Sequence, residues 1–123
     1  MSRYYSVPID VDDTSFEFEV LAAPLPVIAV FWSEQEDSQQ QLDVMLKETA
    51  RDYANVIQVV KLNVSDAPQE QARYNIKNLP EFLFFHEGEL VARASGIPSA
   101  GTLRTWIKYL LRSKPKSKKL RQG

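Results

Sequence analysis

Cysteine is absent from the 123 residues, and its absence removes every chemistry that needs a thiol: disulfide bonds, thiolate nucleophiles and thiolate-held metals. Histidine occurs once, at His86. A transition-metal site would therefore draw its other ligands from distant carboxylates, and Ser38 has no histidine beside it to act as a base. The four glycines, Gly88, Gly96, Gly101 and Gly123, are scattered in turns, near a helix start and at the terminus, so no phosphate-cradling loop is present. No stretch approaches the ~18 consecutive apolar residues of a membrane span, and the opening MSRYYSVPIDVDD has one arginine but no apolar core of a secretory leader. These absences predict a cytoplasmic protein without a cofactor or a membrane span.

What is present is an ordinary globular composition, 44% hydrophobic, in a length that fits one domain. At this size folding buries roughly two-thirds of the unfolded chain's surface, so no covalent or metal staple is required. The charge is unevenly placed. Residues 1–111 hold nine Lys and Arg against sixteen Asp and Glu, a balance of −7, while Arg112, Lys114, Lys116, Lys118, Lys119 and Arg121 add +6. An acidic body at 1–111 thus precedes a basic tail at 112–123, and the tail's lack of apolar residues other than Leu120 predicts disorder there.

Tyr4 to Ile9 reads as a short strand, with Asp12 or Asp13 capping a helix that runs through Phe16, Val20 and Leu21. Val27 to Trp32 is a continuous apolar run, which predicts a strand buried on both faces at the centre of a sheet. Leu42, Met45, Leu46, Thr49, Ala50 and Tyr53 then recur at helical spacing. A strand over Val56 to Val64 follows, then a helix from Ala67 to Tyr74 with Pro68 in its first turn, where a missing N–H costs little. Glu81 to Phe85 and Glu89 to Ala94 form two strands joined across His86-Glu87-Gly88. The last helix, Ala100 to Leu111, puts Leu103, Trp106, Ile107, Leu110 and Leu111 on one face. The order β-α-β-α-β-α-β-β-α predicts an α/β domain with a mixed sheet flanked by helices.

That order, the strand ending Phe31-Trp32-Ser33-Glu34, and Pro80 ahead of a strand resemble the thioredoxin family over residues 8 to 111. Lys61-Leu62-Asn63, Asn78-Leu79-Pro80, Glu87-Gly88-Glu89 and Ser95-Gly96 support the resemblance. It implies a thioredoxin-like fold. The Phe31-Trp32-Ser33-Glu34 segment and its Gln-rich continuation are most similar to the thioredoxin-like domain of bacterial chaperone-linked holdases. Gly88-Glu89-Leu90 and Ser95-Gly96-Ile97 also resemble cysteine-less accessory proteins of hydrogenase maturation.

The departures fall where the family performs its chemistry. Its Trp-Cys-Gly-Pro-Cys is replaced by Gln35-Glu36-Asp37-Ser38-Gln39, so Glu36 and Gln39 stand at the two redox positions. Val30 stands where the family keeps a buried aspartate, and Lys61 matches the lysine near that acid. The resemblance therefore implies a redox-inactive, non-enzymatic member. It also implies that Pro80 is the family's cis-proline, and that Leu79 offers backbone groups to an extended peptide beside Trp32 and the Ser95-Gly96-Ile97 loop. The alternative is that Pro80 only shapes the fold.

The expected partner site comprises Trp32, Glu36, Asp37, Leu79, Pro80, Gly96 and Ile97, taking a protein or an extended peptide. Glu34, Glu36 and Asp37 also admit a plainer role as acids complementing the positive end of the following helix. Nucleic acid or an anionic surface could be engaged only through the tail, whose six cations would give a salt dependence of roughly −0.7 to −0.9 per phosphate contact. A subunit of a larger assembly, contacting its partners through the acidic helix start or the tail, is the other function the chain admits.

Overall fold

The computed structural model describes residues 6–113. Its centre is the strand that the apolar run predicts, β2 (Val27–Trp32), with Val27 to Phe31 all buried. Hydrophobic side chains on both of its faces require cover on both, and helical segments on each side of the sheet supply it. With β1 (Ile9–Asp10), β3 (Gln58–Asn63), β4 (Glu81–His86) and β5 (Glu89–Ser95), the strands run in the order β1-β3-β2-β4-β5. β2 pairs parallel with β3 and antiparallel with β4, and β4 pairs antiparallel with β5.

One face carries Ala29, Phe31, Leu62, Leu83 and Phe85 against Phe16, Val20 and Ile76. It is covered by a short π-type turn at Glu17–Leu21 and by α2 (Pro68–Arg73). The other face carries Ile28, Val30, Val59, Phe82 and Phe84 against Leu42, Leu46, Ala50, Leu103, Ile107 and Leu110. Its cover is α1 (Gln39–Asp52) and α3 (Ala100–Arg112). Each buried Phe, Leu or Ile contributes roughly 1.5–3 kcal/mol through burial, and the alternation along β2 distributes that gain between the two layers. Among the described residues no helix is long and apolar enough to cross a membrane.

Several local expectations are corrected. The first strand is Ile9–Asp10, and Tyr4 and Tyr5 lie outside the described residues. Asp12 does not cap a long helix: its carboxylate accepts from Thr14 and Ser15 in a local turn, and only the π-type turn follows. Asp13 instead reaches across the chain to accept from the N–H groups of Gln69 and Glu70 at 2.9 and 3.0 Å, capping α2. Ala67, at that helix's N-cap position, has no side-chain oxygen to do so.

His86 ends β4 rather than standing in the turn. Glu87 and Gly88 alone make the hairpin loop, both with positive φ (51° and 83°), as a two-residue turn matched to strand twist requires. Leu111 is exposed, and Arg112 belongs to α3 rather than to the tail. The remaining tail expectation, from Lys114 on, falls outside the described residues.

Candidate functional site

The register of the sheet assembles one end of the molecule. Phe31 pairs with Glu81 across β2 and β4, and Glu81 pairs with Ser95 across β4 and β5. Continuing each pairing by one residue sets Pro80 between Trp32 on one side and Gly96 on the other. The Gly96 N–H donates to the Pro80 carbonyl at 2.8 Å, and the Leu79–Pro80 peptide bond is cis. Gly96 has φ of +86°, a backbone state that side-chain-bearing residues seldom adopt.

Pro80 is buried, while Leu79, Gly96 and Ile97 are partly exposed. Neither the N–H nor the C=O of Leu79 forms a hydrogen bond to another described residue. A free backbone donor and acceptor at the end of a sheet can pair with an added extended segment.

Glu36 and Asp37 occupy the connection between β2 and α1, which opens directly after Trp32. These acids precede the first turn of α1 rather than occupy it: α1 begins at Gln39 behind Ser38, and its first turn holds no acidic residue. Glu34 and Asp37 are exposed, Glu36 is half-buried, and none of the three carboxylates pairs with another described residue. The Gln39 N–H donates to the Glu36 carbonyl at 3.3 Å, so the two positions that carry the family's sulfurs form a tight turn. They hold a carboxylate and an amide.

Behind Trp32 the electrostatics have been rebuilt. Val30, fully buried, sits opposite Lys61 in the β2–β3 register. The Lys61 ammonium reaches the Asp43 carboxylate of α1 at 3.3 Å and lies 5.0 Å from the centre of the Trp32 ring. Asp43 also binds Lys47 at 3.0 Å. The Lys47 hydrogen bond, followed by that from Lys61, holds the Asp43 carboxyl below its ordinary range despite partial desolvation. Lys61 thus takes its carboxylate partner from the helix where the family places one on the strand. Trp32, Gln39, Gln40, Leu42, Asp43 and Lys61 line a hollow of about 220 Å³ here. The Trp32 indole N–H is buried without an acceptor among the described residues.

The residue pattern alone did not reveal Glu81. Its carboxylate, 5% exposed as a residue, accepts from Arg93 Nε at 2.8 Å and Ser95 Oγ at 2.8 Å. These bonds tie the strand after Pro80 to the strand before Gly96. The available signal was a charge heading the apolar run Phe82 to Phe85, with Arg93 and Ser95 at alternate positions of the next strand.

His86, expected as a solvated turn residue, is half-buried at the opposite end of β4. Its Nδ1 lies 3.0 Å from Ser113 Oγ, whose single proton goes to the Leu110 carbonyl at 2.7 Å. Nδ1 is therefore the donor. Ser38 stands at the N-cap position of α1 at the other end of the sheet, so the two do not form a nucleophile and base. No group of three metal-ligating side chains occurs among the described residues.

The thioredoxin family model matches residues 7–109. The thioredoxin of Rickettsia bellii is 32% identical over 98 residues, covering 80% of this chain and 93% of that protein. Thioredoxin C-2 of Corynebacterium nephridii is 30% identical over 99 residues, 80% and 92% of the two chains. The thioredoxin of Acidithiobacillus ferridurans is 33% identical over 97 residues, 79% and 90%. With its five-stranded mixed sheet covered by helices on both faces, and with no sulfur at positions 36 and 39, the chain belongs to the thioredoxin family as a member without the thiols for disulfide exchange.

Proposed function

We propose that this domain is a redox-inactive binding module that holds an extended peptide or protein segment at Trp32, Leu79, Pro80, Gly96 and Ile97, with Glu36 and Asp37 on its rim. Its role would be that of an accessory or chaperone-like factor in the cytoplasm, consistent with the resemblance to chaperone-linked holdases. The observation that carries the reading is the open backbone of Leu79, placed beside a redox segment that has no sulfur. A group that adds a strand gains main-chain hydrogen bonds without any covalent step.

Titrating a reduced, unfolded client into isotope-labelled protein tests the reading. Amide shifts are expected at Trp32, Leu79, Gly96 and Ile97, and shifts confined to other surfaces would refute it.

The unpaired acids after Trp32 favour a second reading, a subunit of a larger assembly docked through that segment or through the basic tail. The domain would then end with α3 at Arg112, and residues 113–123 would be its tether. Partner recovery after truncation at Ser113 separates the two contacts. Loss of the partner would assign binding to the tail, and unchanged recovery would remove the tail from the interaction.

A further inference from the structure

We infer that the segment held at Leu79 is basic, carrying Lys or Arg close to the residue that pairs with the Leu79 backbone; this rests on the peptide-binding reading above. The site itself is the open N–H and C=O of Leu79, and its charge environment selects among extended chains. Three carboxylates, Glu34, Glu36 and Asp37, fall within four residues of one another on the connection that leaves β2 beside Pro80. None is neutralised by a hydrogen bond or ion pair to a described residue.

Two cations of the sheet are already committed. Lys61 is held by Asp43 at 3.3 Å, and Arg93 by Glu81 at 2.8 Å. Lys77 is exposed and lies two residues before Leu79, and counting it with the three acids leaves a net −2. Ser113, the last described residue, bonds to His86 at the opposite end of β4. An acidic rim around an open backbone repels an acidic segment and attracts a basic one, and this acts on specificity and approach rate more than on total affinity.

The acids differ in kind from those in the sheet. Glu81 and Asp43 serve internal pairs, and replacing either would disturb the fold. Glu36 and Asp37 support no such pair, so their side chains are free to answer to a ligand.

The test uses the full chain and three synthetic ten-residue peptides that alternate valine with lysine, glutamine or glutamate. At low ionic strength the lysine peptide is expected to bind about tenfold more tightly than the glutamate peptide, with amide shifts at Leu79, Gly96 and Ile97. The preference should collapse in about 0.5 M salt, where the screening length falls to a few ångströms. In a Glu36→Gln/Asp37→Asn variant the lysine and glutamate peptides should bind within about twofold of each other. Equal binding of the lysine and glutamate peptides to the unaltered chain, with shifts at Leu79, overturns the charge inference and leaves the groove. Lysine-peptide shifts confined to residues 34–37 overturn it as surface attraction alone. If no peptide moves Leu79, Gly96 or Ile97, the groove reading falls, and this inference falls with it.

Discussion

Glu81 illustrates how one residue at the rim is held by the fold. A carboxylate nearly out of contact with water is tolerable only when its oxygens are satisfied, and here Arg93 and Ser95 take one each. Arg93→Ala removes one partner and leaves the charge behind. We expect a loss of about 2–3 kcal/mol in denaturant unfolding, and a smaller loss in a Glu81→Leu/Arg93→Met variant, which removes both charges together. If the double variant proved the worse, the pair would be supplying net stability rather than satisfying a buried charge.

Asp43 is the exposed counterpart, with its side chain 37% accessible, and its two lysine contacts stabilise by less than about 1 kcal/mol in such solvent. Its folded carboxyl titrates below the ordinary 3.8. The stabilisation is therefore present at neutral pH and is lost as pH falls through the folded value. Asp43→Asn should unfold slightly more easily than the unaltered chain at pH 7, and the two should converge below about pH 4. A gap that persists at pH 2 would place the effect in packing instead.

At the scale of elements, legibility in the sequence followed the reach of the interactions. β2 was readable because six successive apolar residues leave few alternatives to a strand covered on both faces, and α1 because Leu42, Leu46, Thr49 and Ala50 repeat at helical spacing. The cap of α2 was not readable, since Asp13 and Gln69 are 56 residues apart and meet only when β1 lies beside β3. The same holds for Glu81 and Arg93, which sheet register brings together, whereas Trp32 and Pro80 stood out through the family pattern around them.

Asp13→Ala should cost about 1 kcal/mol, as loss of a helix cap does. Hydrogen exchange should quicken at Gln69 and Glu70 before the sheet is affected; uniform change across the domain would deny the capping role. Gly88 is constrained twice, by φ of +83° and by the Leu21 carbonyl oxygen, which would lie 2.7 Å from an added Cβ. Gly88→Ala is expected to lower stability by at least about 2 kcal/mol, whereas Gly101→Ala, inside α3 with only the Arg104 side chain within 4 Å, should be neutral or stabilising.

For the molecule as a whole, the loss of disulfide chemistry is distributed over three positions that the fold still holds together. Glu36 and Gln39 close a turn through the Gln39 N–H and Glu36 carbonyl. A four-residue turn keeps its end Cα atoms within about 7 Å, the span a disulfide can bridge. Glu36→Cys/Gln39→Cys should therefore form an internal disulfide on oxidation, seen as protection of both thiols from alkylation in intact-mass measurement. Reduction of an external disulfide by this variant should remain slow, because Val30 supplies no group to move a proton behind the new sulfurs. Adding Val30→Asp places a carboxylate opposite Lys61 in the β2–β3 register, and proton transfer by a positioned side chain contributes 10²- to 10⁴-fold where it is complete. A gain of at least about tenfold in turnover is expected. It should come with a loss of several kcal/mol in stability, because Lys61 is already engaged by Asp43 and the new acid would be buried with only a shared partner. Failure of the double variant to close a disulfide would show that positions 36 and 39 no longer keep the geometry of the family's redox pair. Full turnover without Val30→Asp would show that the substitution at position 30 carries none of the loss.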